Sequence, residues 1–305
     1  MGLEKFFSIN LSRVSFDIEM KSDYTLPPFP GSMLRGAWGR ALKDISCCNH
    51  EKTCFSCGVV ETCAYSQIVE PTRLENGSTG SGPRNKVPPY IINWERNSNL
   101  RRKFKMHFTF FNIKRIFILM AILALDKAIK KGIGRRKIKG KITPEPDELN
   151  DEVFKIINNE NLKNIVHSKF ESLSSFKKFH IILITPLRLV KDNKILKNFD
   201  YDAFINSILR RINLLQKYYG SKDNECNFFT PAFKPEGKIS SSWITFKNLK
   251  RRSMRHGLIP AGGLIGEAVI DNPSELELML LCSAEIIHVG KMASFGFGKI
   301  KVQGI

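Results

Sequence analysis

Acidic side chains are scarce in this sequence. Its 305 residues include 48 Lys and Arg against 29 Asp and Glu, which gives a formal net charge of +19 and a pI of about 9.7. Such an excess is unusual for an enzyme of small metabolites and is typical of proteins that bind polyanions. The alternative is a set of solvated lysine-rich faces, as encoded in an AT-rich genome. We expect nucleic acid to be the partner.

Long hydrophobic runs are also lacking. The most apolar run, Ile116 to Leu125, is half of the roughly 20 residues that a membrane-spanning helix needs, so it predicts a buried helix. The first residues, Met1 to Phe7, are charged and have no long apolar core, which argues against a signal peptide. We therefore expect a cytoplasmic protein without a membrane partner.

The positive charge is concentrated in two windows. Residues 101–141 contain 14 Lys and Arg against one acidic residue, a net charge of +13. Residues 234–256 contain 7 against one, a net charge of +6, so the rest of the chain is neutral on balance. Charge that is localised in this way is the electrostatic signature of nucleic-acid binding.

Two basic clusters within these windows are predicted to contact RNA phosphates. They are Arg135, Arg136, Lys137 and Lys139, and Arg251, Arg252 and Arg255. Residues 135–142 are predicted to form a strand, which would place alternate cations on one face at a spacing that follows phosphates. Each phosphate contact should steepen the salt dependence of binding.

Five of the seven cysteines fall within seventeen residues: Cys47, Cys48, Cys54, Cys57 and Cys63. A reducing cytosol disfavours disulfides between them. The pair Cys54 and Cys57, with a cysteine on each side, can supply four thiolates to a tetrahedral zinc ion. We predict structural zinc on Cys48, Cys54, Cys57 and Cys63, with Cys47 or His50 as alternative ligands. A metal-free relic of such a site and redox chemistry are the other interpretations.

A glycine-rich loop lies near the C-terminus. Gly290, Gly296 and Gly298 follow a predicted helix, precede a short terminal strand and are accompanied by Lys291. Because glycine adopts positive φ and lets a backbone approach closely, the pattern predicts contact with an RNA backbone, and an ordinary tight turn is the alternative. The phenylalanines on either side of Gly296 would stack on bases or pack in the core.

Hydrophobic periodicity predicts the element order β-α-β-β-α-β twice. The predicted fold class is α+β, with tandem ferredoxin-like (RRM-like) domains and a cysteine-rich zinc-knuckle insertion. The expected boundaries are 1–145 for the N-terminal domain with the insertion at 47–63, 146–176 for a linker and helix, and 177–305 for the C-terminal domain with the glycine-rich loop at 290–298. This fold by itself does not determine a function.

Several segments carry a resemblance, and they fall in a characteristic order. They are Pro27–Arg40 (PPFPGSMLRGAWGR), Cys63–Tyr65, Trp243–Met254, Gly262–Gly266 and His288–Gly298. Together they resemble the CRISPR-associated endoribonuclease that processes precursor CRISPR RNA, a member of the RAMP superfamily. The resemblance implies RNA-recognition-like domains, contact of Arg35 and the glycine-rich loop with CRISPR repeat RNA, and cleavage without a catalytic metal. It also implies other subunits of a CRISPR effector complex as partners.

Such cleavage is chemically reasonable because RNA carries its own nucleophile, the 2′-hydroxyl. The protein must hold this oxygen in line with the scissile phosphate, move protons and stabilise the charge that develops on phosphorus. The expected products are a 2′,3′-cyclic phosphate and a 5′-hydroxyl.

The catalytic residues depart from the family pattern. Related members often have a histidine on the first helix, near the position of Arg40, and arginine is a poor base although it can clamp a phosphate. Lys43, one turn further on, would assist electrostatically. The candidates for proton transfer are His288, which otherwise braces the loop, and His256, which otherwise is simply exposed. The alternative functions are a catalytically silent RNA-binding subunit and, third, a zinc-containing module outside CRISPR systems.

Overall fold

The computed structural model describes residues 7–24, 26–48, 54, 57–71, 87–96, 102–143, 157–220, 233–253 and 257–305. The chain divides into two compact units, Leu11–Asn159 and a second unit that joins Met1–Asn10 to Glu160–Ile305. The first residues therefore belong with the C-terminal half, where the Leu162 N–H donates to the Ile9 carbonyl at 2.9 Å. The helix within the expected 146–176 linker is likewise part of this second unit.

The N-terminal unit has the predicted order of elements. They are β1 (Asn10–Met20), α1 (Gly31–Ser46), α2 (Ala64–Ile68), β2 (Tyr90–Arg96), β3 (Lys103–Phe111), α3 (Arg115–Lys131) and β4 (Gly140–Thr143). The antiparallel strands are ordered β2-β3-β1-β4, so β1 and β3 occupy the centre of the sheet. The alternation along β1 buries Phe16 and Ile18 and exposes Asp17, as expected for a sheet with one covered face.

Helices α1 and α3 pack against each other, and Trp38 joins them to the sheet. Its indole N–H donates to the Ala121 carbonyl at 2.9 Å, and its ring contacts Tyr90 and Phe108 at centroid distances of 4.9 and 5.0 Å. Trp38 is fully buried, so it contributes a large apolar area while its polar atom is satisfied. This packing sets the position of α1, which carries the candidate residues Arg40 and Lys43.

The second unit repeats the order of elements with additions. The short strand β5 (Asn158–Asn161), which pairs with β1, precedes them in the chain. The elements of the second unit are α4 (Leu162–Leu173), β6 (Lys178–Leu187), β7 (Val190–Lys191), β8 (Lys194–Ile195), α5 (Tyr201–Tyr219), β9 (Lys238–Ser242), β10 (Thr245–Lys247), β11 (Lys250–Ser253), β12 (Gly257–Pro260), β13 (Gly263–Asp271), α6 (Glu275–Ile287) and β14 (Ile300–Gly304). The main sheet is antiparallel in the order β10-β13-β6-β14, with β9 also paired to β13. Strands β11 and β12 form a separate hairpin, which the sequence pattern did not predict.

Helix α6 begins with a capping box that is buried in the protein. The Ser274 hydroxyl and the Glu277 backbone N–H interact, and the fully buried Glu277 carboxylate accepts from the Ser274 N–H at 2.8 Å. The same carboxylate accepts from the backbone N–H groups of Glu236 and Gly237 at 3.0 and 3.1 Å. Glu277 therefore ties the start of α6 to the segment that leads into β9.

Among the helices of the described segments, none is long and apolar enough to cross a membrane.

Candidate nucleic-acid interface

The glycine-rich loop connects α6 to β14 and has the positive φ angles that the sequence predicted. Gly290, Gly296 and Gly298 have φ of 77°, 82° and 67°. A Cβ at Gly298 would overlap the Val289 carbonyl, and one at Gly290 would overlap the Arg188 carbonyl. Gly296 and Gly298 are buried, so the expected role in RNA contact is corrected for both: they let the loop pack on its own backbone.

His288 precedes this loop and is completely buried. Its Nδ1 lies 3.0 Å from the Phe297 carbonyl, which requires the N–H to be on Nδ1. Burial, together with the positive charges of Arg211 and Lys299, lowers the pKa of His288 to about 3, although the hydrogen bond to Phe297 opposes the shift. The expected role in proton transfer is therefore corrected: a neutral, inaccessible imidazole fits the alternative, a brace for the loop.

Helix α1 carries three cations predicted to act on RNA. Arg40 is exposed, and Lys43 follows three residues later, which places the two on adjacent positions of one helical surface. The Lys43 ammonium lies 5.9 Å from the centre of the Tyr65 ring. Arg35 is partly buried, and its Nε donates to the Tyr90 hydroxyl at 3.1 Å. Of these three cations, only Arg40 is exposed, whereas Arg35 and Lys43 are partly buried.

Two of these cations, Arg35 and Lys43, lie close to two tyrosines and a glutamate. We call this group the α1 polar cluster (Arg35, Lys43, Tyr65, Glu70 and Tyr90). The Tyr65 hydroxyl donates to a Glu70 carboxylate oxygen at 3.2 Å. Burial, and then the Glu70 charge, raise the pKa of Tyr65 to about 12, so its phenol stays protonated at neutral pH. The interaction with Tyr90 raises the pKa of Arg35. The Tyr65 hydrogen is used by Glu70, so the Arg35 and Lys43 side chains are the members that have further N–H groups to donate to an anion.

Sequence reasoning missed the other members of this cluster. Tyr65 belongs to the Cys63–Tyr65 segment that carries the family resemblance, so this segment could have indicated Tyr65 as a functional residue. Tyr90 and Glu70 had no comparable signal, because only the packing of α1 beside β2 brings Tyr90 to Arg35.

The first basic cluster lies on a turn, so the strand predicted over 135–142 was wrong. Strand β4 begins only at Gly140, and the chain turns between Gly134 and Lys137, with φ of 74° and 50°. A Cβ at Gly132 would overlap the Lys137 carbonyl, which explains the need for glycine after α3. Arg135, Arg136, Lys137 and Lys139 are all exposed, but a turn does not impose alternate-face spacing on them.

The second basic cluster lies on the β11–β12 hairpin. The Arg251 guanidinium carbon is 5.2 Å from the centre of the Phe295 ring, so this phenylalanine packs against a cation. Arg252 lies in β11, and Arg255 and His256 fall outside the described residues, as does His50. Lys291, in the adjoining glycine-rich loop, is exposed.

The five clustered cysteines line one pocket, together with Ser46, Val59, Val60, Tyr65 and Ser66. None of the five forms a disulfide within the described part of the chain, and the Cys63 thiol donates to the Ser46 carbonyl at 3.6 Å. The convergence of thiols suits a soft metal ion such as zinc. No three metal-binding side chains of the described residues are arranged as ligands of one ion, so the sulfurs would have to move together to bind it.

Known proteins are similar to this chain over both halves. Residues 8–169, more than half of the chain, match the AF_1859_N family model of an N-terminal domain, and residues 181–300 match the CRISPR-associated endoribonuclease Cas6. An uncharacterized protein of Archaeoglobus fulgidus is 27% identical over 304 residues, covering 97% of this chain and 99% of the relative.

Two solved structures share the fold. Thermus thermophilus Cas6 (TTHB231) superimposes with a TM-score of 0.50 and 11% identity, covering 97% of this chain and 99% of that one. A chain of a partial Cas6-RT-Cas1–Cas2 complex gives a TM-score of 0.56 with 8% identity, covering 97% of this chain and 46% of that one. At such low identities the likeness describes the fold alone.

Proposed function

The chain belongs to the CRISPR-associated endoribonuclease family, with an AF_1859_N N-terminal domain and a Cas6 C-terminal domain, and on this premise we propose that it cuts precursor CRISPR RNA within each repeat. The observation that carries the proposal is the Cas6 match over 181–300, which covers the glycine-rich loop and the basic β11–β12 hairpin. The repeated β-α-β-β-α-β order supports tandem ferredoxin-like domains. The proposed location is the cytoplasm.

The proposed reaction uses the 2′-hydroxyl of the RNA and no catalytic metal. Arg40 and Lys43 are assigned to the stabilisation of negative charge on the phosphate, since both cations lie on one surface of α1. His256 is assigned to proton transfer, because histidine titrates closest to neutral pH and His288 is buried. His288 is assigned to the support of the loop.

The decisive experiment is an incubation of the full chain with 5′-labelled CRISPR repeat RNA in EDTA. We expect one cut per repeat at the same rate as in a reaction without EDTA, because cleavage requires no divalent ion. Cleavage that stops in EDTA and returns with added Mg²⁺ would contradict the metal-independent mechanism. Failure to bind or cut the RNA under any condition would contradict the proposed function.

A second candidate is a catalytically silent RNA-binding subunit of a CRISPR effector complex. The buried His288 favours it, as does the arginine at the α1 position where relatives often have histidine. The same incubation separates the two, because this subunit would bind the repeat tightly and leave it uncut. Other CRISPR proteins are proposed as its partners.

Replacing Arg40 with alanine is expected to slow cleavage by about 10²–10³-fold, the usual effect of losing one group that stabilises transition-state charge. Single-turnover rates at saturating protein would measure it, so that weaker binding does not contribute. Arg40→Lys is the matched variant, and it should recover much of the rate because it keeps the positive charge. An Arg40→Ala protein that cuts at the wild-type rate would remove Arg40 from the mechanism.

We also propose that the cysteine pocket binds a structural zinc ion through Cys48, Cys54, Cys57 and Cys63. The support is the convergence of all five thiols on one pocket. When bound, zinc would hold the segment between α1 and α2 in place, because thiolate ligands cross-link residues distant in the chain. Its role is structural, and no step of the cleavage depends on it.

Protein purified under reducing conditions is expected to contain about one zinc ion per chain by elemental analysis, as a four-thiolate site predicts. The double variant Cys54→Ser and Cys57→Ser should lose the metal. Cys47→Ser is the matched control and should retain it, whereas Cys48→Ser should not. Wild-type protein without zinc, prepared in zinc-supplemented medium, would exclude the site.

A further inference from the structure

Arg188 follows β6 directly and is held from two sides. Its carbonyl accepts from the Lys291 N–H of the glycine-rich loop at 2.9 Å, and an isolated parallel bridge joins it to Gly290. Its guanidinium donates through Nη1 to the Gly262 carbonyl at 2.5 Å. Loop and strand together therefore orient a partly buried arginine that the sequence did not single out.

A second guanidinium lies beside it. The Arg251 guanidinium carbon on β11 lies 5.2 Å from the centre of the Phe295 ring, so the two side chains make a cation–π contact. Burial lowers the pKa of Arg188, and the nearby positive charge of Arg251 lowers it further. Two like charges are thus brought together by three segments: the end of β6, the β11–β12 hairpin and the loop.

Among the residues that the structure describes, no carboxylate forms an ion pair with Arg188. Ion pairs within the described part of this unit join other cations to carboxylates. The Nε of Arg188 is buried and has no hydrogen-bond partner among the described residues. Two guanidinium charges held side by side repel each other, and a bound anion would relieve that repulsion.

We propose that Arg188 and Arg251 form a clamp for a single phosphate of the RNA backbone. Guanidinium groups bind phosphate oxygens in pairs of parallel hydrogen bonds, and two of them match the two non-bridging oxygens of a phosphodiester. Exposed Lys250 precedes Arg251 in the chain, and exposed Lys291 donates its N–H to the Arg188 carbonyl. These further cations favour a continuous polyanion over an isolated carboxylate. This inference rests on the proposed function and adds Arg188 to its binding residues.

The test compares Arg188→Gln, Arg251→Gln and the double variant in binding to labelled CRISPR repeat RNA over a range of salt. Each single substitution should weaken binding roughly 10- to 100-fold, as for the loss of hydrogen bonds to a charged group. Each should also reduce the slope of log affinity against log salt by about 0.7 to 0.9, the value for one phosphate. The double variant should match either single variant, because both arginines address the same phosphate.

Lys177→Gln is the matched control, since it removes one exposed charge at the other end of β6, about 35 Å away at 3.3 Å per residue. Thermal melting of each variant shows whether a loss of binding results from unfolding. Arg188→Lys retains the positive charge, so it should keep the wild-type slope of log affinity against log salt. If Arg188→Gln binds like Lys177→Gln, or the double variant loses twice the slope, the clamp is refuted and the proposed function stands. A wild-type protein that does not bind the RNA contradicts the proposed function itself.

Discussion

A single 2′-deoxy substitution at the scissile nucleotide is expected to reduce cleavage by at least about 10⁵-fold, which is the advantage of a correctly placed intramolecular nucleophile. The 2′-oxygen forms the new bond to phosphorus, and the bond from phosphorus to the 5′-oxygen breaks. A proton leaves the 2′-hydroxyl and a proton is added to the departing 5′-oxygen, so no water is consumed. Without the 2′-oxygen no such reaction exists.

The measurement is a single-turnover assay in EDTA with the deoxy and all-ribo substrates at saturating protein. A 2′-deoxy group one nucleotide downstream is the matched control, and that RNA should be cut near the normal rate. Binding of both deoxy substrates should stay within about twofold of the all-ribo RNA, since phosphate contacts dominate affinity. Undiminished cutting of the first deoxy substrate, with a 5′-phosphate on the product, would replace this mechanism with hydrolysis.

Replacing Glu277 with alanine is expected to lower the free energy of unfolding by about 3 kcal/mol or more, because three backbone N–H groups lose a charged acceptor at once. The donors are the backbone N–H groups of Ser274, Glu236 and Gly237. Urea unfolding followed by circular dichroism would measure the change. Glu275→Gln is the control in the same helical turn, and its exposed side chain should contribute less than about 1 kcal/mol.

The contribution of Glu277 should also depend on pH. Burial alone would raise the pKa of Glu277, but the hydrogen bonds from Ser274, Glu236 and Gly237 outweigh it and lower the pKa. A lowered pKa stabilises the fold above the unfolded value of about 4.3. The stability difference between wild type and Glu277→Gln should therefore shrink as the pH falls below about 4.3 through the folded pKa. A difference that stays constant over this range would contradict the role of the ionised carboxylate.

Much of the fold followed from local patterns. Apolar residues three and four apart along Tyr201–Tyr219 are typical of a helix, and α5 has these bounds. Serine favours the start of a helix, and Ser274 is the N-cap of α6. The positive φ angles of the loop followed from its glycines. The short spacing between cysteines predicted a common site, and their thiols line a common pocket. Each of these features could be predicted because it depends on residues that are close together in the sequence.

Other features depended on segments far apart in the chain. The spacing of 135–142 resembled a strand, but pairing with β1 extends only over Gly140–Thr143. Two separate strands, β9 and β10, lie within residues 238–247, and both pair with β13. Pairing partners, which lie elsewhere in the sequence, determined where these strands begin and end.

The sequence by itself determined the two repeated sets of elements, the surplus of cations and the grouping of the thiols, because periodicity, charge and spacing are local properties. Only the tertiary structure decided that His288 is buried while Arg40 is exposed, and that Arg188 lies beside Arg251 and Phe295. Burial and side-chain contact result from long-range packing, which brings together residues that no local pattern connects.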